Sequence, residues 1–197
     1  MIQVNEKRLI DRILSGHTED YGYFLERYGR EVFTVVVRLV MQQEDAEEIT
    51  QDVFVKAFNH LSSFGGHSSL STWLCRIAYN EAINFIRKKR KDLINMNDND
   101  QLLDMVSEEM VDEALSTEKE NQLAFLEKAI NRLSPEERML VTSFYFEERS
   151  FKEIAYIMGF KEKELANAVN LLTTRLSRIR KKLYVLIKQI EHESEYK

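Results

Sequence analysis

The sequence predicts an all-α chain, and three observations carry that expectation. Six glycines and one proline in 197 residues are too few for the many turns of a sandwich or barrel. Apolar residues recur at steps of three and four through most of the chain, which is the helical period. Two capping boxes, Ser134-Pro135-Glu136-Glu137 and Ser150-Phe151-Lys152-Glu153, announce helix starts outright.

Taken in order, residues 5 to 62 read as helices with short breaks. Leu9, Ile10 and Ile13 form the first apolar stripe, and Phe24, Leu25, Tyr28, Val32 and Val36 the second. In the third helix, DAEEITQDVFVKAF, the apolar Ala46, Ile49, Val53 and Ala57 share one face. Glu44, Glu48, Gln51 and Asp52 share another, which is expected to be exposed. Phe64 to Ser71, with two glycines and three serines around His67 and Leu70, makes a loop. A helix restarts near Thr72, with Leu74, Ile77, Ala78 and Ile86 facing inward. Trp73, Arg76, Asn80, Asn84 and Arg87 form an outward line that ends in five consecutive cations, Arg87 to Lys91.

Asp92 to Glu120 reads as a linker, because its Asn, Asp and Glu content shows little periodicity. The charge of −5 sits there. Residues 1–91 carry 13 Lys/Arg against 12 Asp/Glu, residues 92–120 carry 1 against 10, and residues 121–197 carry 14 against 11. The expected division is therefore 1–91, an acidic linker 92–120, and 121–197. In the last part a short helix from Ser150 ends at Gly159 and another follows closely, as in a helix-turn-helix. The following helix keeps Leu165, Val169, Leu172, Leu176, Ile179, Leu183, Leu186 and Ile190 in a four-three seam, with Arg175, Arg178, Arg180, Lys181 and Lys182 off it.

These patterns narrow the chemistry. The Trp73 line beside a Ser/Gly loop can stack on, hydrogen-bond to and neutralise unpaired nucleotides, although a core-packed Trp73 with a solvated charged face fits the same spacing. On the helix-turn-helix the cations can meet phosphates, and Thr173, Thr174 and Arg175 can reach base edges. The four-three seam also fits a coiled-coil dimer, which makes a dimeric helix-turn-helix regulator the alternative function. His17, His60, His67 and His192 lie far apart, without metal-ligand spacing, and phosphate-cradling glycine loops are absent, so neither catalysis, metal nor cofactor is expected. One cysteine, Cys75, excludes a disulfide framework. With no basic-then-apolar leader and no apolar run of about 18 residues, the expected home is the cytoplasm.

Three segments in this order, DAEEITQDVFVKAF, FGGHSSLSTWLCRIAYN and LSPEERMLVTSFYFEERSFKEIAYIMG, resemble successive motifs of the extracytoplasmic-function sigma factors, specificity subunits of bacterial RNA polymerase. The resemblance implies two helical domains and two partners, core RNA polymerase and promoter DNA, with an anti-sigma factor as a third in some members. It implies polymerase docking through Asp45, Glu48, Gln51, Asp52 and Phe54. It also implies capture of a flipped base of the downstream promoter element through Phe64, His67, Ser68, Ser69, Trp73, Arg76, Asn80, Asn84, Arg87 and Lys88. Upstream duplex reading falls to Ser150, Lys161, Lys163, Thr173, Thr174, Arg175 and Arg178. The chain departs from the family at Gly65, where a basic residue is usual, and at Asn84, where Asp is common. Eleven residues, Phe160 to Asn170, separate Gly159 from LLTTRLSRIRKKL where the family has about four. The surplus is one heptad, about 10.5 Å of helix, and it leaves two candidate reading turns, Lys161–Asn167 and Thr173–Thr174.

Overall fold

A computed structural model describes residues 6–90 and 122–195, and among these every regular element is helical. The acidic linker lies outside the described residues. α1 (Glu6–Leu14) buries Ile10 and Ile13. α2 (Gly22–Val40) buries Phe24, Tyr28, Val32, Val35, Val36 and Leu39, and ends where Met41 turns left-handed at φ 64°. α3 (Gln43–Asn59) buries the apolar face read from the sequence, with Phe54 added. α4 (Leu70–Arg90) closes this first core with Leu74, Cys75, Ala78, Tyr79, Ala82 and Ile83. The Tyr28 hydroxyl donates to the Glu6 carboxylate and ties α1 to α2. Burial, and then that bond to a carboxylate, push the Tyr28 phenol up to about 12.

The second unit comprises α5 (Gln122–Asn131), α6 (Pro135–Tyr145), α7 (Phe151–Ile157) and α8 (Leu165–Glu195). Both capping boxes are formed. The Ser134 and Ser150 side chains accept from the Glu137 and Glu153 amides, and each glutamate accepts from its serine's own N–H. Lys182 of α8 donates to Glu137 at 3.1 Å, and Arg132 beyond α5 donates to Glu193 at 2.8 Å. α8 packs on α5, α6 and α7.

Three sequence expectations change. Leu25, placed in the core stripe of α2, is exposed. α4 starts two residues earlier than read, because the Ser69 side chain caps it. The seam of α8 runs through Ala168, Leu172, Leu176, Ile179, Leu183, Ile187 and Ile190, so Ile187 takes the buried place given to Leu186. Its period follows 3.6 rather than 3.5 residues per turn, as an unsupercoiled helix must. That seam is covered by the chain's own helices, so the surface a coiled-coil dimer would need is already used. The two units also pack together: α7 lies on α4 and α6 on α2, and Met139 and Ile157 are buried in the first core.

Candidate nucleic-acid interface

The loop between α3 and α4 is held at both ends. Leu61 is buried in a short 3-10 turn, Leu61–Ser63. The Ser69 hydroxyl accepts the Thr72 amide at 3.1 Å and pairs with the Thr72 hydroxyl at 2.7 Å. Between these anchors Gly66 sits at φ +70°, a conformation that costs glycine nothing. Phe64 tilts against Trp73 with ring centroids 5.4 Å apart. Both rings are half-buried on the first core, so Trp73 is neither sealed inside nor free-standing. His67 and Ser69 are exposed and Ser68 is half-buried.

Down α4 from Trp73, Asn80, Asn84, Arg87 and Lys88 are all exposed, as the spacing predicts. Arg76 breaks the line. Its guanidinium lies 4.5 Å from the Tyr156 ring centroid, on α7 of the other unit. Lys89 is also engaged, with Asp45 at 3.0 Å and over the Phe85 ring. Asp45 is therefore half-buried and paired, whereas Glu48, Gln51 and Asp52 project outward. Phe54 differs from these: its side chain is largely buried in the core, and its carbonyl accepts from the Tyr21 hydroxyl at 2.8 Å. Together with Tyr21, Leu25, Gly29, Thr50, Gln51, Val55 and Phe58 it lines an open apolar groove between α2 and α3. The sequence reading missed this groove: Val55 and Phe58 are apolar residues on the face of α3 that the helical period leaves outside, and Leu25 stands at the edge of the apolar stripe of α2.

In the second unit Ser150 spends its side chain on the α7 cap. Glu153 accepts from the Ser150 hydroxyl at 2.7 Å and from Thr72 of α4 at 3.5 Å. These bonds, that to Ser150 first, hold its carboxyl below the usual carboxylate range against the opposing effect of burial. Lys161, Lys163, Thr173, Thr174, Arg175 and Arg178 are exposed.

The contact between units was not visible in the sequence. Arg149 is buried between Glu31 of α2 and Glu147 of its own unit, the latter at 2.8 Å, and its guanidinium lies 3.2 Å from the Cys75 sulfur. Arg38 reaches Glu147 at 3.2 Å and lies over the Phe146 ring. Burial pushes the Cys75 thiol up to about 12, with the Arg149 charge acting the other way. Tyr79 is likewise raised to about 12 by burial, with Glu136 adding and Arg87 and Arg175 opposing, so cations of both units act on one phenol. Among the described residues no cluster of His, Cys, Asp and Glu could hold a metal, and no helix is long and apolar enough to cross a membrane.

Two helical units, the second closing on a helix-turn-helix, define a DNA-binding class of protein. Residues 24–92 match the family described as Sigma-70 region 2, and residues 126–183 match Sigma-70, region 4. The chain is 29% identical over 144 residues to the RNA polymerase sigma factor YlaC of Bacillus subtilis, across 73% of this chain and 82% of that one. It is 29% identical over 166 residues to the ECF RNA polymerase sigma-E factor of Escherichia coli K12, across 79% and 84%. Its fold is similar to that of the Bartonella quintana sigma factor RpoE, solved in complex with the anti-sigma factor NepR, with a TM-score of 0.60 and 23% identity over 86% of this chain and 98% of that one. The chain belongs to the extracytoplasmic-function sigma factors.

Proposed function

We propose that this protein acts in the cytoplasm, binding core RNA polymerase, directing it to specific promoters and promoting DNA opening, without catalysis of its own. The observation that carries this reading is the exposed row Asn80, Asn84, Arg87 and Lys88, continuing from the half-buried Phe64–Trp73 pair, on the unit that also presents Glu48, Gln51 and Asp52. Those three side chains, beside the apolar groove of α2 and α3, form the polymerase-docking face. Phe54 shapes the floor of that groove from within, and Asp45 steadies the face through Lys89.

At the downstream element, His67, Ser68 and Ser69 line the loop that receives a flipped base, with Phe64 and Trp73 as its stacking surface. Unstacking costs a few kcal/mol, about what stacking at roughly 1–3 kcal/mol per base returns. Asn80 and Asn84 supply hydrogen bonds, and Arg87 and Lys88 neutralise phosphate. Arg76 joins them only when Tyr156 moves off it, so this reading requires α7 to leave α4 on the promoter. The net charge of −5 makes DNA binding by the chain alone weak, with the polymerase supplying most of the electrostatic attraction. Residues 1–91 would carry docking and melting, 92–120 the connection, and 121–197 the upstream contact. An anti-sigma factor is a partner this reading accommodates.

The test is run-off transcription with core polymerase over a library of promoters, followed by permanganate footprinting. Asn80→Ala is expected to retain polymerase binding and lose promoter opening. If the wild-type protein supports no promoter-dependent transcript, the reading is wrong. Equal opening by the variant removes Asn80 from it.

A further inference from the structure

The corner between α7 and α8 decides which turn of the lengthened helix can enter a groove. Ile154 and Ala155 of α7 are fully buried, and Gly159 turns the chain at φ +91°, where a side chain would be strained. A 3-10 turn, Glu162–Glu164, follows, and α8 starts at once at Leu165. Leu165 and the buried Ala168 and Leu172 already pack in the second core. The first turn of α8 therefore sits against α7.

In a helix-turn-helix the N-terminal residues of the second helix meet base edges. Here the outward residues of those turns include Asn167 and Asn170, three apart on one face and both exposed. Neither carboxamide is bonded to another described residue. One turn beyond Asn170, the Thr173 and Thr174 hydroxyls donate back into α8, to the Val169 carbonyl at 2.9 Å and the Asn170 carbonyl at 3.0 Å. Their donors are already spent, while the asparagine donors and acceptors are free for a ligand.

We propose that Asn167 and Asn170 determine the sequence specificity of the upstream contact, that each reads an adenine, and that Lys161 and Lys163 hold the flanking phosphates. A carboxamide donates to adenine N7 and accepts from its N6 amino group, a pattern no other base shows in the major groove. Three helical residues advance about 4.5 Å along the axis, against about 3.4 Å per base along a strand, so the two side chains address neighbouring base pairs. This inference rests on the sigma-factor reading and specifies one of its DNA contacts.

The experiment uses the full chain with core polymerase and a promoter library randomised only in the upstream element, with transcripts counted by template. The wild-type protein is expected to favour two neighbouring A·T pairs. Asn167→Ala and Asn170→Ala should each relax the preference at one of them by roughly tenfold and leave the other intact. Replacing adenine by 7-deazaadenine at the affected position should lower wild-type transcription and leave the matching variant unaffected. Thr173→Val and Thr174→Val should leave the preference unchanged. Unaltered preferences in both asparagine variants, or a shift caused by the threonine variants, would overturn the assignment while the sigma-factor reading stands. Absence of any promoter-dependent wild-type transcript would overturn both.

Discussion

α2 contributes to two faces of the first unit, and they differ in chemistry and in use. On the α3 side, Leu25, Val55 and Phe58 stand 44%, 62% and 38% exposed around the apolar groove, and no other part of the described chain covers them. On the α4 side, Glu31 and Arg38 of α2 and Thr72, Cys75 and Arg76 of α4 are all engaged by the second unit. The open face is apolar with an acidic border, which suits a lasting contact with another molecule, because its burial releases water. The covered face sets ion pairs and hydrogen bonds around the buried apolar Met139 and Ile157. Contacts of that kind between domains resemble transient interfaces, and a buried ion pair gives little net stability over an apolar replacement. The unit thus leaves an uncovered apolar groove on one side and closes the other with a contact whose ion pairs can be exchanged.

The comparison breaks first at Arg149. Arg149→Met would remove the cation between Glu31 and Glu147 and leave Arg38 on Glu147, at an expected loss of roughly 2 kcal/mol in urea unfolding. The single cysteine reports the opening directly, since Cys75 is buried and held as the neutral thiol. Removing a cation cannot make that thiol ionise more readily, because the Arg149 charge favours the thiolate. Faster labelling of Cys75 by a maleimide in the variant therefore measures separation of the units. A labelling rate equal to wild type would mean that α7 stays on α4 without Arg149.

A smaller effect sharpens the other side. Val55→Asp, on the open groove, should change the stability of the free protein by no more than about 0.5 kcal/mol, as surface substitutions usually do. It should weaken binding to core polymerase about tenfold, about 1.4 kcal/mol, measured by competition against a labelled wild-type chain. Loss of stability without loss of binding would show that the groove serves the fold and not a partner.

The two faces were unequally legible in the sequence, for a physical reason. Burial of Ala46, Ile49, Val53 and Ala57, and exposure of Glu44, Glu48, Gln51 and Asp52, follow from the helical period alone. The capping boxes at Ser134 and Ser150 are local and equally plain. The burial of Phe54 was not legible, because a resemblance names a position and does not say which way its side chain points. Arg149 and Glu31 are 118 residues apart, and Thr72 and Glu153 are 81 apart, so no local pattern announces either contact. The start of α8 was hidden for a similar reason: spacing counts residues, whereas the corner at Gly159 and the packing of Leu165 set where the helix begins.

The finest difference lies at the cap of α7, which belongs to the covered face because Glu153 also accepts from Thr72. Ser150→Ala removes the side chain that accepts the Glu153 amide and donates to its carboxylate, at an expected cost of about 1 kcal/mol at neutral pH. The pH dependence follows from the depressed pKa of Glu153. A carboxylate whose folded pKa lies below its unfolded value contributes stability that is fully present above the unfolded pKa and is lost as the pH falls through the folded one. The wild-type advantage over Ser150→Ala should therefore hold at neutral pH and shrink on acidification through and below the usual carboxylate range. Glu153→Gln, which cannot ionise, should lack that contribution to the pH dependence. A double variant with Thr72→Val then tests the link between cap and interface. If the two substitutions add, the cap serves α7 alone; an interaction energy above about 0.5 kcal/mol makes it part of the contact between units.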